Sequence, residues 1–243
     1  MSTKPYKGFE PKWMLQRAPE NSYRSIFRWG DPDFFKYPKE SLYKYVKKRC
    51  NLKDEEFMQY NDDLGLDPVN LGEEHAPKID KKHVKAIAAI VGEKNVSQTM
   101  YDLLRMRHRR FDSLPDLVVF PETSEQIEKI VAYVTKNKIP LYVYGGGSSV
   151  TRGVEPINGG VSLDMRRNFN KVIKFNETDQ TITVQAGMSG PKLEQTLQNA
   201  QSLFGAKRPY TCGHFPQSFE YSSVGGWTVT RGAGQNSTYY GTI

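Results

Sequence analysis

Cysteine is scarce in this chain of 243 residues, and its two copies, Cys50 and Cys212, stand too far apart to form a metal-binding or redox spacing. They read as free thiols of a reducing compartment, and no metal site is expected. No apolar run approaches the ~20 residues needed to span a bilayer. The opening MSTKPYKGFEPKW lacks the hydrophobic core of a secretory signal, so secretion is not expected. Internal repeats and low-complexity tracts are also missing. Acidic residues are in the minority. The net charge of +7 points to anionic partners without choosing among them. The usual nucleotide fingerprints fail as well. G-x-G-x-x-G is broken because Val150 stands where its third glycine would fall. No Lys follows the glycines as in a P-loop, and Arg152 is the nearby cation.

What is present centres on the run Leu141-Tyr142-Val143-Tyr144-Gly145-Gly146-Gly147-Ser148-Ser149-Val150. An apolar strand leads straight into three glycines and two hydroxyl residues. Backbone without Cβ atoms can adopt dihedrals closed to other residues and approach a ligand closely. Successive amides can converge into an anion-binding concavity, with Ser148 and Ser149 adding hydroxyl donors. A phosphate or diphosphate would suit it. A tight connection with no ligand is the competing reading.

The surrounding pattern gives the loop a setting. Residues Met1 to Phe35 carry Trp13, Tyr23, Phe27, Trp29, Phe34 and Phe35 without a clear period, which suggests an extended arm. A helix is expected from Lys39 to Arg49, with Leu42, Tyr45 and Val46 on one face, and loop from Asn51 to Lys78. Asp80 can cap a helix bearing Val84, Ile87, Ala88 and Val91 and ended by Gly92. Another helix is expected from Ser97, carrying Met100, Leu103 and Leu104. The basic run Arg105 to Arg110 reads as a solvated helix end rather than a nucleic-acid contact. A surface for acidic lipid or a phosphorylated substrate is its sharper alternative.

From Pro115 strand and helix alternate. Leu117 to Phe120 is a strand, and Thr123 with Gln126 forms a capping box. Ile127, Ile130, Val131 and Val134 make the apolar face of the helix that follows. Leu141 to Tyr144 completes a β-α-β unit, with the glycines at the carboxyl end of its second strand, where α/β sheets collect ligands. Strands at Val161–Leu163, Lys171–Phe175 and Thr181–Gln185 follow, then a helix opened by Pro191 with Leu193 and Leu197 inward. The fold class is α+β with a mixed sheet, preceded by a mainly helical segment over residues 1–113. Gly225 and Gly226 could let a backbone approach something large and flat, or could simply permit close helix packing.

Five ordered motifs then carry a resemblance: PETSEQI before a helix, YGGGSSV, AGMSG, TCGHFPQS and SSVGGWTVTRGAG. This series is similar to the PCMH-type FAD-binding domain of the vanillyl-alcohol-oxidase flavoproteins, and within them to the alkylglycerone-phosphate synthase group. The resemblance implies an FAD-binding domain over 114–243, incomplete at its carboxyl end. It implies that Val143, Tyr144, Gly145, Gly146, Gly147, Ser148 and Ser149 wrap the FAD diphosphate. Gln217, Ser218, Phe219, Glu220, Tyr221, Ser222 and Ser223 would run beside the flavin and ribityl chain. Thr230, Arg231, Gly232 and Ala233 would form the next cofactor-contacting turn. Phe215 and Gln217 replace a Glu and an Asp of the family pattern, which removes two negative charges there. His214 is given no catalytic role, because a His in a Gly- and Pro-flanked loop is more commonly packed or hydrogen-bonded.

No His or Cys lies between Lys138 and Gly160, so FAD is expected to be held without a covalent bond. The implied activity is exchange of the acyl group of acyl-dihydroxyacetone phosphate for a fatty alcohol in ether-lipid synthesis. An FAD-linked oxidoreductase acting on a 2-hydroxy acid or alcohol is the alternative, and an inactive FAD-binding fragment a third. Catalytic residues are expected beyond Ile243. The implied partners are a small-molecule or lipid-like substrate, a membrane surface and a second copy of the chain; nucleic acid is not expected. A cytoplasmic location is expected, with the peroxisome as the alternative in a eukaryote, although no Ser-Lys-Leu type ending is present.

Overall fold

The structure is a computed structural model that describes residues 39–57, 77–107 and 113–243. The described residues 39–57 belong to one compact unit, and the remainder to a second. The proposed aromatic arm lies outside the described residues. In the first unit, α1 (Glu40–Arg49) is the expected helix, yet none of its residues is buried and Leu42 and Tyr45 are exposed. A short helix, α2 (Asp54–Phe57), interrupts the segment expected to be loop. Asp54 Oδ1 accepts hydrogen bonds from Tyr43 Oη and Lys47 Nζ, both at 2.5 Å.

The second unit begins with α3 (Lys81–Val91), capped as expected: the Asp80 carboxylate accepts the Lys82 amide at 2.9 Å. Gly92, with φ of +92°, closes it, since that conformation is costly for a residue with a Cβ. The chain next makes β1 (Val96–Ser97), which pairs antiparallel with Val118–Val119. The expected helix therefore starts later, as α4 (Met100–Met106), with Thr99 as its cap. The pairing of β1 takes Ser97 out of the helix. Then come β2 (Leu117–Val119), α5 (Ser124–Lys136) with the Thr123/Gln126 capping box, β3 (Leu141–Tyr144) and β4 (Val161–Asp164). A hairpin of β5 (Val172–Asn176) and β6 (Thr181–Val184) precedes α6 (Gly190–Gln198), α7 (Ala200–Phe204), α8 (Val224–Val229) and α9 (Ser237–Tyr240).

The main sheet has the order β1-β2-β4-β3, and β4 runs parallel to both neighbours. β2 and β3, joined through α5, are thus separated by a strand that arrives later in sequence. Both faces are covered, as parallel strands require. Leu117, Val119, Val161 and Leu163 meet Ile87 and Val91 of α3 and Ile130 and Val134 of α5 on one side. Val118, Phe120 and Tyr144 meet Leu103 and Met106 of α4 on the other. Val131, expected on the inner face of α5, is 42% exposed: the sheet engages a narrower stripe of this helix than its apolar pattern covers.

Asn95, buried at the end of β2, ties the layers together. Its side chain donates to Val91 O and Glu122 Oε1, accepts from Asn168 Nδ2, and its carbonyl accepts the Phe120 amide. A second core forms where the β5–β6 hairpin packs on α6 and α8 through Met188, Leu193, Leu197 and Trp227.

Candidate functional site

The glycine loop leaves the carboxyl end of β3 and runs against a segment that is distant in sequence. A Cβ built on Gly145 would overlap the Ser223 hydroxyl, and one on Gly146 would overlap the Tyr221 carbonyl oxygen and lie 2.7 Å from Ser222 Cα. Gly147 has φ of +72°, and the volume beside its Cα holds the Tyr144 hydroxyl. Gly146 and Gly147 are accordingly buried, whereas Gly145, Ser148 and Ser149 are half-buried and Val143 is exposed. The reason for glycine at position 146 differs from the one its sequence context implies: chain packing, and not an approaching phosphate, occupies the Cβ position.

The amides tell a different story from the Cα atoms. Among the described residues, the main-chain N–H groups of Gly145, Gly146, Gly147, Ser148 and Ser149 find no acceptor, and neither Ser hydroxyl makes a hydrogen bond. Polar backbone that is half-buried or buried is ordinarily paired. A run of such donors on one bend is suited to an anion. Arg152, the cation closest in sequence, is committed elsewhere. Its φ is +63°, and its guanidinium forms a bidentate pair with the buried Glu155, Nε to Oε2 at 2.5 Å and Nη2 to Oε1 at 2.7 Å.

The other motifs interlock behind this loop. Gly190 N donates to Ser222 O at 3.3 Å, Val224 N to Met188 O at 2.9 Å and Gly225 N to Ala186 O at 2.8 Å. The AGMSG and SSVGGW runs are thereby stitched together, and SSVGGW in turn backs the glycines. The packing reading of the glycine pair applies to one of the two residues. A Cβ on Gly225 would press on Ala186 at 2.7 Å, so it serves packing, while Gly226 meets nothing nearer than Ser223 Oγ at 3.4 Å.

Among the residues expected beside the flavin, several hydroxyls already have work within the chain. Ser222 Oγ donates to Ser218 O at 2.7 Å and accepts Trp227 Nε1 at 2.6 Å. Ser223 caps α8 by accepting the Gly226 amide at 3.4 Å. Phe219 stacks on Trp227 with ring centroids 5.8 Å apart. Gln217 is exposed, and Ser218, Phe219, Glu220 and Tyr221 are half-buried. Thr230, Arg231 and Ala233 lie exposed at the end of α8, with Gly232 half-buried. Arg231 holds φ of +49°, and Gly232 N returns to Trp227 O at 2.8 Å.

His214 packs on Trp227 at 5.3 Å between centroids, and its Nε2 is buried without a partner among the described residues. Burial pushes its pKa down and favours the neutral ring. Cys212, pushed up to about 11 by burial, is a poor nucleophile at neutral pH.

Two features escaped sequence reasoning. One is that Tyr221 and Ser222, expected beside the flavin, back the glycine loop through main-chain atoms, which no residue type announces. The other is the basic run after α4. Arg107 donates to Leu104 O at 2.6 Å, as a cation at a helix end should, but burial lowers its pKa, and the Arg105 side chain is only 21% exposed. The described part of this run, Arg105 to Arg107, is thus less solvated than expected and lies on the Tyr144 face of the sheet. Residues 108–112 lie outside the described residues.

Residues 115–243 match the family model described as FAD binding domain. Alkyldihydroxyacetonephosphate synthase of Dictyostelium discoideum is 36% identical over 149 residues, covering 60% of this chain and 23% of that protein. A mitochondrial cytochrome D-lactate dehydrogenase of Saccharomyces cerevisiae is 29% identical over 181 residues, covering 70% of this chain and 29% of the relative. A solved structure of an alkyldihydroxyacetonephosphate synthase superposes with a TM-score of 0.61 at 29% identity, over 69% of this chain and 35% of that one. The chain thus spans about a quarter of the length of these curated relatives.

Proposed function

The chain belongs to the FAD binding domain family, whose cofactor is FAD, and from that premise we propose that the amides of Gly145 to Ser149 hold the cofactor's diphosphate. The observation that carries this reading is the run of consecutive donors without an acceptor among the described residues, at the carboxyl end of a parallel strand. Ser148 and Ser149 supply further donors. Tyr221 to Ser223 support the loop from behind. The exposed turn Thr230 to Ala233 and the open side of Gly226 form the neighbouring wall along which the rest of the cofactor lies. Arg152 stays with Glu155, so the diphosphate is neutralised by backbone dipoles, and with no His or Cys between Lys138 and Gly160 the cofactor is held without a covalent bond.

The activity proposed for the protein is that named in its relatives, synthesis of alkyldihydroxyacetonephosphate, by the exchange of an acyl group for a fatty alcohol that the motif resemblance implies. The bound isoalloxazine would supply the chemistry, and this part of the chain orients it. A lipid-like substrate, a membrane surface from which it is drawn, and pairing with a second copy belong to the same proposal, as does a cytoplasmic or peroxisomal location. A second reading, oxidation of a 2-hydroxy acid, has in its favour the likeness to D-lactate dehydrogenase, at lower identity.

Titrating FAD into the purified protein tests the cofactor site. Quenching of flavin fluorescence, with the flavin released intact by heat or acid, is the expected result. A folded, colourless protein that leaves FAD fluorescence unchanged would reject it. Adding D-lactate to the FAD-loaded protein without oxygen separates the two activities: bleaching of the flavin would favour the dehydrogenase.

A further inference from the structure

Tyr144 is the last residue of β3, and its side chain turns back beneath the loop that its own strand launches. The ring is 5% exposed and packs among Leu103, Met106, Val118 and Phe120. The Arg166 guanidinium sits 5.3 Å from the ring centroid, within the range of a cation–π contact. The Tyr144 carbonyl accepts the Met165 amide at 3.0 Å. The ring therefore has little freedom, and its hydroxyl lies where a Cβ of Gly147 would be. Gly147 is the residue of the loop with positive φ, +72°. On the other side, the Tyr221 carbonyl and Ser222 Cα close on Gly146. The bend is thus gripped from two sides before any ligand arrives, which lowers the ordering cost of binding.

We propose that Tyr144 is a positioning residue for the cofactor loop: its hydroxyl, seated against Gly147 from within the fold, fixes the left-handed turn that presents the unpaired amides to the diphosphate. The inference rests on the FAD reading above and assigns Tyr144 a place under the loop in place of direct contact with the cofactor. Burial raises the pKa of this hydroxyl and favours its protonated form.

Tyr144→Phe retains the ring and its contact with Arg166 and deletes the one oxygen that meets Gly147. FAD affinity is expected to fall about fivefold, the modest loss that a looser turn, less ordered before binding, would cause. The melting midpoint of the flavin-free variant should stay within roughly 4 °C of wild type. A second variant reads the contact itself. Gly147→Ala introduces a methyl group into the space of the hydroxyl and 2.6 Å from Tyr144 Cζ, and adding Tyr144→Phe, which removes the nearer of these two overlaps, should recover part of the lost FAD affinity. Unchanged FAD affinity in Tyr144→Phe, or losses that simply multiply in the double variant, would overturn the assignment. Failure of the wild-type chain to bind FAD would instead overturn the cofactor reading, and this inference with it.

Discussion

Replacing Gly146 by Ala is the sharpest probe of the site, because the structure assigns the position to packing between main-chain segments. The added Cβ would overlap the Tyr221 carbonyl oxygen and lie 2.7 Å from both Tyr221 C and Ser222 Cα, where carbon atoms rest at about 3.5–4.0 Å. No rotamer relieves this, since all three obstacles are backbone. Nor can that backbone withdraw freely. Tyr221 N and Ser222 N are each bonded to Ser218 O at 2.8 Å, and Ser222 O holds Gly190 N at 3.3 Å. The cost should fall at the upper end for overpacking, about 3 kcal/mol. For a domain of this size that lowers the melting midpoint by roughly 6–12 °C. Gly226→Ala is the internal control. It lies inside α8, its Cβ meets only Ser223 Oγ at 3.4 Å, and Ala is favoured over Gly in a helix by about 0.5–1 kcal/mol. Its midpoint should therefore hold or rise. Both are measured by thermal unfolding of the flavin-free protein, so that cofactor binding does not contribute. If Gly146→Ala melts with wild type, or Gly226→Ala falls as far as Gly146→Ala, the interlocked arrangement of the two segments is wrong.

Three further outcomes are expected. Ser222→Ala removes the acceptor of Trp227 Nε1 in a buried setting and should cost about 1–3 kcal/mol, read from the denaturant midpoint with the Trp227 emission shifting as its indole loses that partner. Acidification should weaken the start of α3. The Lys82 amide, and then its side chain, hold the Asp80 carboxyl below its ordinary pKa, so this contribution is complete above the ordinary carboxylate value and lost as pH falls through the lowered one. Asp80→Asn keeps a capping oxygen and should remove that pH dependence, seen by amide exchange of the first turn between neutral and acid pH. Finally, iodoacetamide at mildly alkaline pH should label the exposed Cys50 well before the half-buried Cys212, whose thiol is pushed up to about 11; mass spectrometry showing the reverse order would contradict its placement.

Local chemistry made much of this chain legible from its residues. The Asp80 cap, the Thr123/Gln126 box, Pro191 in the first turn of α6 and the spacing of Ile87, Ala88 and Val91 each act within one or two helical turns, and each reappears in the structure. The order of the glycine-rich motifs was enough to place the chain in its family. Tertiary structure decided what depends on partners far along the chain. Two residues of β1 hold no pattern of their own and become strand because β2 offers an open edge. Val131 follows the same period as Val134 yet faces outward, since the width of the sheet sets how much of α5 is covered. Glycine at 145 and 146 is required by Ser223, Tyr221 and Ser222, and the Tyr144 hydroxyl fills the room that Gly147 leaves. A residue's own propensity speaks for its neighbours within a few positions; which backbone will lie against it is settled only when the whole chain packs.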